Sequence, residues 1–159
     1  MHILSRLTGT LLALVLAGCG FQPLGELDLP GSVRVQGGSY ELRSALEARL
    51  AGSGVRIAGN GADIVLALQP GSFDERLLSV EPVRGEAREY QVAFLVRYGV
   101  RDRKGGQVLE PGEVSVLREY RVHRGERLSR TRERALVHDE MRREAAAAIV
   151  RRLYASSGR

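Results

Sequence analysis

The stretch REYQVAFLVRYGVR, residues 88–101, decides the fold. Tyr90, Val92, Phe94, Val96, Tyr98 and Val100 alternate with Gln91, Ala93, Leu95, Arg97, Gly99 and Arg101. Successive side chains of a strand point to opposite faces, so this period of two predicts a long strand with one packed and one partly wet face. Lys104-Gly105-Gly106 follows and reads as a tight turn. Gln107 to Arg124 then returns antiparallel, with Val114, Val116, Arg118, Tyr120 and Val122 on one face. Pro111 and Gly112 interrupt its start and predict a bulge or an edge there.

Working outward from this hairpin, residues 63–80 hold two extended halves broken at Pro70-Gly71. Ile64 to Leu68 is apolar on both faces, as a buried central strand would be. Residues 81–86, with Pro82 and Gly85, read as a hairpin loop with Arg84 near its tip. Upstream, Ser32 to Gln36 reads as a short strand. Ser39 is placed to cap a helix over Tyr40 to Ala51, which puts Leu42, Ala45, Leu46, Arg49 and Leu50 at helical spacing and offers Gly52 as its C′ residue. Val55 to Ile57 allows a brief extended piece. Residues 124–130 read as a polar loop and Thr131 to Ala155 as a long helix, with Val137, Met141, Ala145, Ala148, Ile149 and Leu153 forming its apolar stripe. An Asp139–Arg143 ion pair fits the i,i+4 spacing. The expected fold is α+β: a mixed sheet of about four strands with two helices packed on one face.

At the other end of the chain LAGCGF, residues 16–21, contains the sole cysteine. An intramolecular disulfide is impossible, and a metal site needs further soft ligands. Residues 1–6 carry one positive charge, Arg6, and Leu7 to Leu16 is largely apolar but too short to span a bilayer. Leu16-Ala17-Gly18-Cys19 resembles the lipobox of bacterial lipoproteins, in which the thiol is acylated and the chain is cut before it. Residues 1–18 are thus expected to be a signal peptide, and 19–31, with Pro23 and Pro30, a lipidated tether. Residues 32–155 would form one domain, and 156–159 a frayed end. The lipobox predicts a membrane attachment through the N-terminal lipid at Cys19, and Gly20 resembles an outer-membrane sorting residue.

Net charge is +5 over 159 residues, from 24 basic and 19 acidic side chains. Residues 118–159 hold 12 arginines against 6 acidic residues, while 19–117 hold 11 basic and 13 acidic. The basic character therefore sits at the C-terminal end, and Lys104 is the sole lysine. Guanidinium groups bind phosphate bidentately and stay charged. In a lipid-anchored chain of the envelope, phosphorylated lipid is a better partner for them than nucleic acid. Solvated helix faces account for many of these arginines without any partner.

Catalytic patterns are missing from the sequence. His138-Asp139-Glu140 places adjacent side chains about 100° apart on a helix, so the three cannot converge on one ion, and a solvated helix face is expected. Gly52, Gly54, Gly59 and Gly61 match neither a dinucleotide nor a phosphate-loop spacing. No G-x-S-x-G occurs. The expectation is a protein that is not an enzyme and carries no cofactor and no metal.

The order and spacing of several weak motifs are more telling. Arg88-Glu89-Tyr90-Gln91-Val92, Phe94 to Tyr98, Asp102 to Gly106, Arg118-Glu119-Tyr120, Leu128 to Glu133, Glu140 to Arg143 and Ile149 to Leu153, with Cys19-Gly20-Phe21 in front, resemble the LptE family of lipopolysaccharide-assembly lipoproteins. Pro23-Leu24-Gly25 departs from the Leu-Arg-Gly-like triplet common in that family. The resemblance implies an outer-membrane lipoprotein, facing the periplasm and the lumen of the β-barrel LptD, which it plugs and helps assemble. It also implies help in placing lipopolysaccharide in the outer leaflet and binding of lipopolysaccharide itself. Arg84, Arg88, Arg130 and Arg132, at what the strand order makes one end of the molecule, are the candidate ligands for lipid A phosphates. Contact with the barrel wall is the competing role for them. An adaptor lipoprotein of another envelope or secretion complex is the alternative function.

Overall fold

The computed structural model describes the backbone of residues 31–80, 87–123 and 127–157, and all of their side chains except those at 80, 87, 123, 127–130 and 157. Its elements are β1 (Ser32–Gly37), α1 (Tyr40–Gly52), β2 (Arg56–Ile57), β3 (Ile64–Leu68), β4 (Ser72–Val80), β5 (Ala87–Asp102), β6 (Gln107–His123) and α2 (Arg127–Ser157). The arrangement is α+β, with six described strands in one mixed sheet rather than about four. The additional strands are the two-residue β2 and the division of the 63–80 segment into β3 and β4.

β5 organises the sheet. One of its edges carries β6 along nearly the whole length, from Ala87 opposite His123 to Arg101 opposite Gln107. Its other edge is shared: β3 pairs with the C-terminal part, Leu68 opposite Tyr98, and β4 with the N-terminal part, Ser72 opposite Leu95. β3 and β4 thus form one interrupted line. Gln69-Pro70-Gly71 interrupts it because proline has no N–H to donate to the ladder. Beyond β3 lies β1, parallel to it, and then β2, parallel to β1. The expected bulge in β6 is present: Tyr98 faces Gly112 and Val100 faces Leu109, so β6 holds one extra residue around Pro111.

Local chemistry sets the helix boundaries. Ser39 Oγ accepts a bond from Leu42 N–H at 3.3 Å, satisfying one free donor of the first turn of α1. At the other end, Gly54 N–H reaches the Ala51 carbonyl and Val55 N–H the Leu50 carbonyl. Gly54, not Gly52, adopts the left-handed conformation, φ 80°. This is a Schellman closure, in which the buried Val55 packs toward the buried Leu50. The β5–β6 turn uses Asp102, whose Oδ1 accepts from the Lys104 and Gly106 N–H groups, while Gly105 takes φ 88°.

Both helices lie on the face shown by the even residues of β5. Leu42, Leu46 and Leu50 of α1 and Met141, Ala145, Ile149 and Leu153 of α2 are buried there with Val92, Phe94, Val96 and Val100 of β5. Full burial of each large apolar side chain contributes about 1.5–3 kcal/mol. The stripe of α2 is wider than expected, since Ala146 and Val150 are buried as well. α2 also starts earlier, at Arg127, so residues 127–130 are helical rather than loop. The ion pair of Asp139 forms with Arg142 at 2.7 Å, one residue short of the expected Arg143. Arg142 lies over the Phe73 ring, 5.0 Å from its centroid, and from there its guanidinium meets Asp139.

Candidate functional site

The antiparallel order gathers β4's end, β5's start, β6's end and the first turns of α2 at one end of the molecule. Val80 faces Arg88, Arg88 faces Val122, and α2 begins a few residues after His123. Arg88 has the same parity as Tyr90 and Val92, so it sits on the helix-bearing face of the sheet. It is exposed and forms no ion pair with a described residue. Arg132 is likewise exposed on α2. The other two candidates are not placed: Arg84 falls outside the described residues, as does the side chain of Arg130. Cys19 and the expected tether up to residue 30 lie outside them too.

The opposite, outer face of the sheet looks different, because it carries a ladder of cross-strand polar and charged pairs. Arg76 donates to Gln91 at 2.8 Å and Gln91 to Glu119 at 3.1 Å, a chain across β4, β5 and β6. Arg97 meets Glu113 at 2.7 Å, and Glu89 takes both Ser79 at 3.0 Å and Arg121 at 3.5 Å. Each is a cross-strand pair in the observed register. Leu117 is 58% exposed on this ladder, opposite Ala93.

Near the basic end, α2 lies on β4 through a cluster that the residue pattern did not reveal. The His138 ring stacks on Phe73, centroids 3.8 Å apart and planes nearly parallel, and Phe73 stacks on Phe94 at 4.4 Å. Arg134 Nε approaches Glu75 Oε2 at 2.8 Å, and the Glu75 side chain is only 14% exposed. The Nε–H is not aimed at the carboxylate, so this is a charge contact rather than a directed hydrogen bond. His138 is therefore half-buried, not part of a solvated face. Burial, then the flanking guanidiniums of Arg134 and Arg142, hold it below its ordinary 6.5, against the opposing pull of Glu75 and Asp139. Its Nε2 is buried without a hydrogen-bond partner among the described residues. The adjacent members of the sequence triplet diverge as expected: Asp139 turns to Arg142 and Glu140 to solvent. A histidine one residue from the apolar Val137 and three from Met141 was the available signal.

At the other end of β5 the chain enters the domain through a polar clasp. Asp63 Oδ2 accepts from the backbone N–H and the hydroxyl of Ser32, both at 3.0 Å, and Asp63 Oδ1 meets Arg103 at 3.1 Å. Those bonds from Ser32, more than Arg103, keep the Asp63 carboxyl below its usual value. Gly31, at φ 79°, passes so close that a Cβ there would lie 2.1 Å from the carboxylate.

No group of ligating side chains suited to a metal ion occurs among the described residues. None of the described helices is long and apolar enough to cross a membrane.

Three kinds of comparison bear on this architecture. The chain resembles a minor lipoprotein from Acinetobacter baumannii, at 17% identity and TM-score 0.66, over 80% of this chain and 94% of that one. It resembles the rare lipoprotein B of Shewanella oneidensis at 27% identity and TM-score 0.62, over 79% of this chain and 96% of the other. A lipoprotein B from Nitrosomonas europaea aligns at 16% identity and TM-score 0.66, over 87% and 93% of the two chains. Comparison with the curated proteins gives no match. The model of the LptE family, described as lipopolysaccharide-assembly, matches residues 31–153, from the Gly31 clasp to the last buried leucine of α2, and the chain belongs to that family.

Proposed function

We propose that this chain is a non-enzymatic lipoprotein of the Gram-negative outer membrane, anchored by lipid at Cys19, that fills the lumen of the LptD barrel. There it helps the barrel assemble and helps lipopolysaccharide reach the outer leaflet, with its basic end binding the lipid A phosphates. Family membership supports the assembly role. One geometric observation carries the rest: the tether enters at Gly31, beside the β5–β6 turn, while Arg88 and the start of α2 lie at the far end of β5. The 16 residues of β5, at ~3.3 Å each, separate the two ends by about 50 Å. That is close to the thickness of a bilayer with its headgroups, about 40–45 Å. A domain tied by lipid at one end presents its arginines one membrane thickness away. A surrounding barrel would supply the partner surface for the charge-matched outer sheet face.

The test is binding of purified lipopolysaccharide to Arg88→Glu, Arg132→Glu and the double variant, with Arg84→Glu and Arg130→Glu alongside. A charge-assisted contact is worth about 1.5–3 kcal/mol, so each reversal that removes one should weaken binding about tenfold or more. Thermal midpoints of the Arg88 and Arg132 variants should hold, because exposed positions tolerate substitution. Binding unchanged at low salt in all four variants and the double would refute the phosphate-binding reading.

A further inference from the structure

Among the described side chains of α2, those upstream of Met141 contribute little to the core, Val137 packing only partly against it. The fully buried ones among them begin at Met141 and recur at Ala145, Ala146, Ile149 and Leu153. Upstream, Thr131, Arg132, Arg134, Ala135 and Leu136 are exposed, Leu136 to 61%. A helical start with an arginine-rich sequence and little described burial frays readily unless side chains tie it down. Two ties to the sheet stand out among the described side chains. Arg134 reaches the poorly exposed Glu75 carboxylate, and His138 lies flat on Phe73, itself stacked on Phe94 of the core. Both run from α2 to β4, an edge strand held by β5 alone among the described elements.

From this arrangement we infer that Glu75 and Phe73 of β4, with Arg134 and His138 of α2, form a latch that positions the basic first turns of α2 beside Arg88. Glu75 is a positioning residue. Its side chain is 14% exposed and so is not displayed to a ligand, whereas Arg132 nearby on α2 is exposed. The latch joins β4, which pairs with the Arg88 end of β5, to α2, which carries the exposed Arg132. Fixing the two relative to each other pre-organises a multivalent anion surface, which saves the ordering cost at the moment of binding. The inference rests on the phosphate-binding reading above.

The experiment uses the full-length chain in detergent with purified lipopolysaccharide as the probe. Glu75→Gln, Arg134→Gln and the charge-swapped pair Glu75→Arg with Arg134→Glu are compared with wild type for amide hydrogen exchange, thermal midpoint and binding. Both single variants should speed exchange across residues 127–136 at least several-fold, while Met141 to Leu153 stays protected. They should weaken binding about threefold to tenfold with little change in midpoint, and the swapped pair should restore slow exchange and affinity together. Restoration by the swap is not expected of a change that merely loosens packing. Unaltered exchange at 127–136 in the single variants overturns the latch. Faster exchange with undiminished binding overturns the positioning role and leaves the phosphate reading standing. If the variants at Arg88 and Arg132 also bind normally, it is the phosphate reading that has failed.

Discussion

At the scale of single residues, Gly37 shows how strictly the backbone selects side chains. It closes β1 at φ 79°, opposite Leu68, and a Cβ there would sit 2.2 Å from the Leu68 carbonyl oxygen. Left-handed backbone alone costs an L-residue about 1–2 kcal/mol, and here a main-chain oxygen blocks the space as well. Gly37→Ala should therefore lower unfolding free energy by at least about 2 kcal/mol in a denaturant titration. Leu46, with no exposed surface between α1, the sheet and α2, makes the complementary case. Leu46→Ala should cost about 2–5 kcal/mol, since the vacated volume can refill only in part. His138 is the residue whose charge state the fold resists. Its folded pKa lies below 6.5, so on acidification the unfolded chain takes up the proton first. Stability from this site is intact above about pH 6.5 and drains away as pH falls toward the folded value. His138→Gln should flatten that decline relative to wild type when unfolding midpoints are compared between pH 7 and 5.

At the scale of elements, strands were more legible than the contacts between layers. The alternation of Tyr90 to Val100 located β5 and its buried face, and Lys104-Gly105-Gly106 located the turn, because both signals are local and follow from backbone geometry. Ser39 was readable as a cap for the same reason. Gly54 displaced Gly52 as the left-handed residue because the closure needs an apolar side chain directly after it, and Val55 follows Gly54. The early start of α2 was hidden by composition. Residues 127–130 lack an apolar stripe and so read as loop, yet no glycine or proline follows Gly125 to break a helix there. The β4–α2 cluster was out of reach altogether. Phe73 and His138 are far apart in the chain, and nothing in either neighbourhood announces the other. Of the candidate arginines, the strand order brings the elements carrying Arg88 and Arg132 to one end, while the contact between Glu75 and Arg134 carried no local mark.

At the scale of the whole molecule, the domain is polar in a structural sense. One end holds the start of β1 through Ser32, Asp63 and Arg103, and the other presents Arg88 and α2's first turns. About 50 Å of antiparallel sheet lies between them. The helix-bearing face is consumed by the core, and the outer face carries matched cross-strand charges with few apolar residues left exposed. Such a body does not need a cleft to act. Its proposed work is to be held in place and to expose charge at a fixed distance from its anchor, which is consistent with membership of a lipopolysaccharide-assembly family. The most direct test is affinity purification of the tagged full-length chain from detergent-solubilised outer membranes of its own cell. The account predicts LptD as a partner in equal amount, lost neither in high salt nor on gel filtration; recovery of the chain alone, or with a different envelope complex and no LptD, would contradict it.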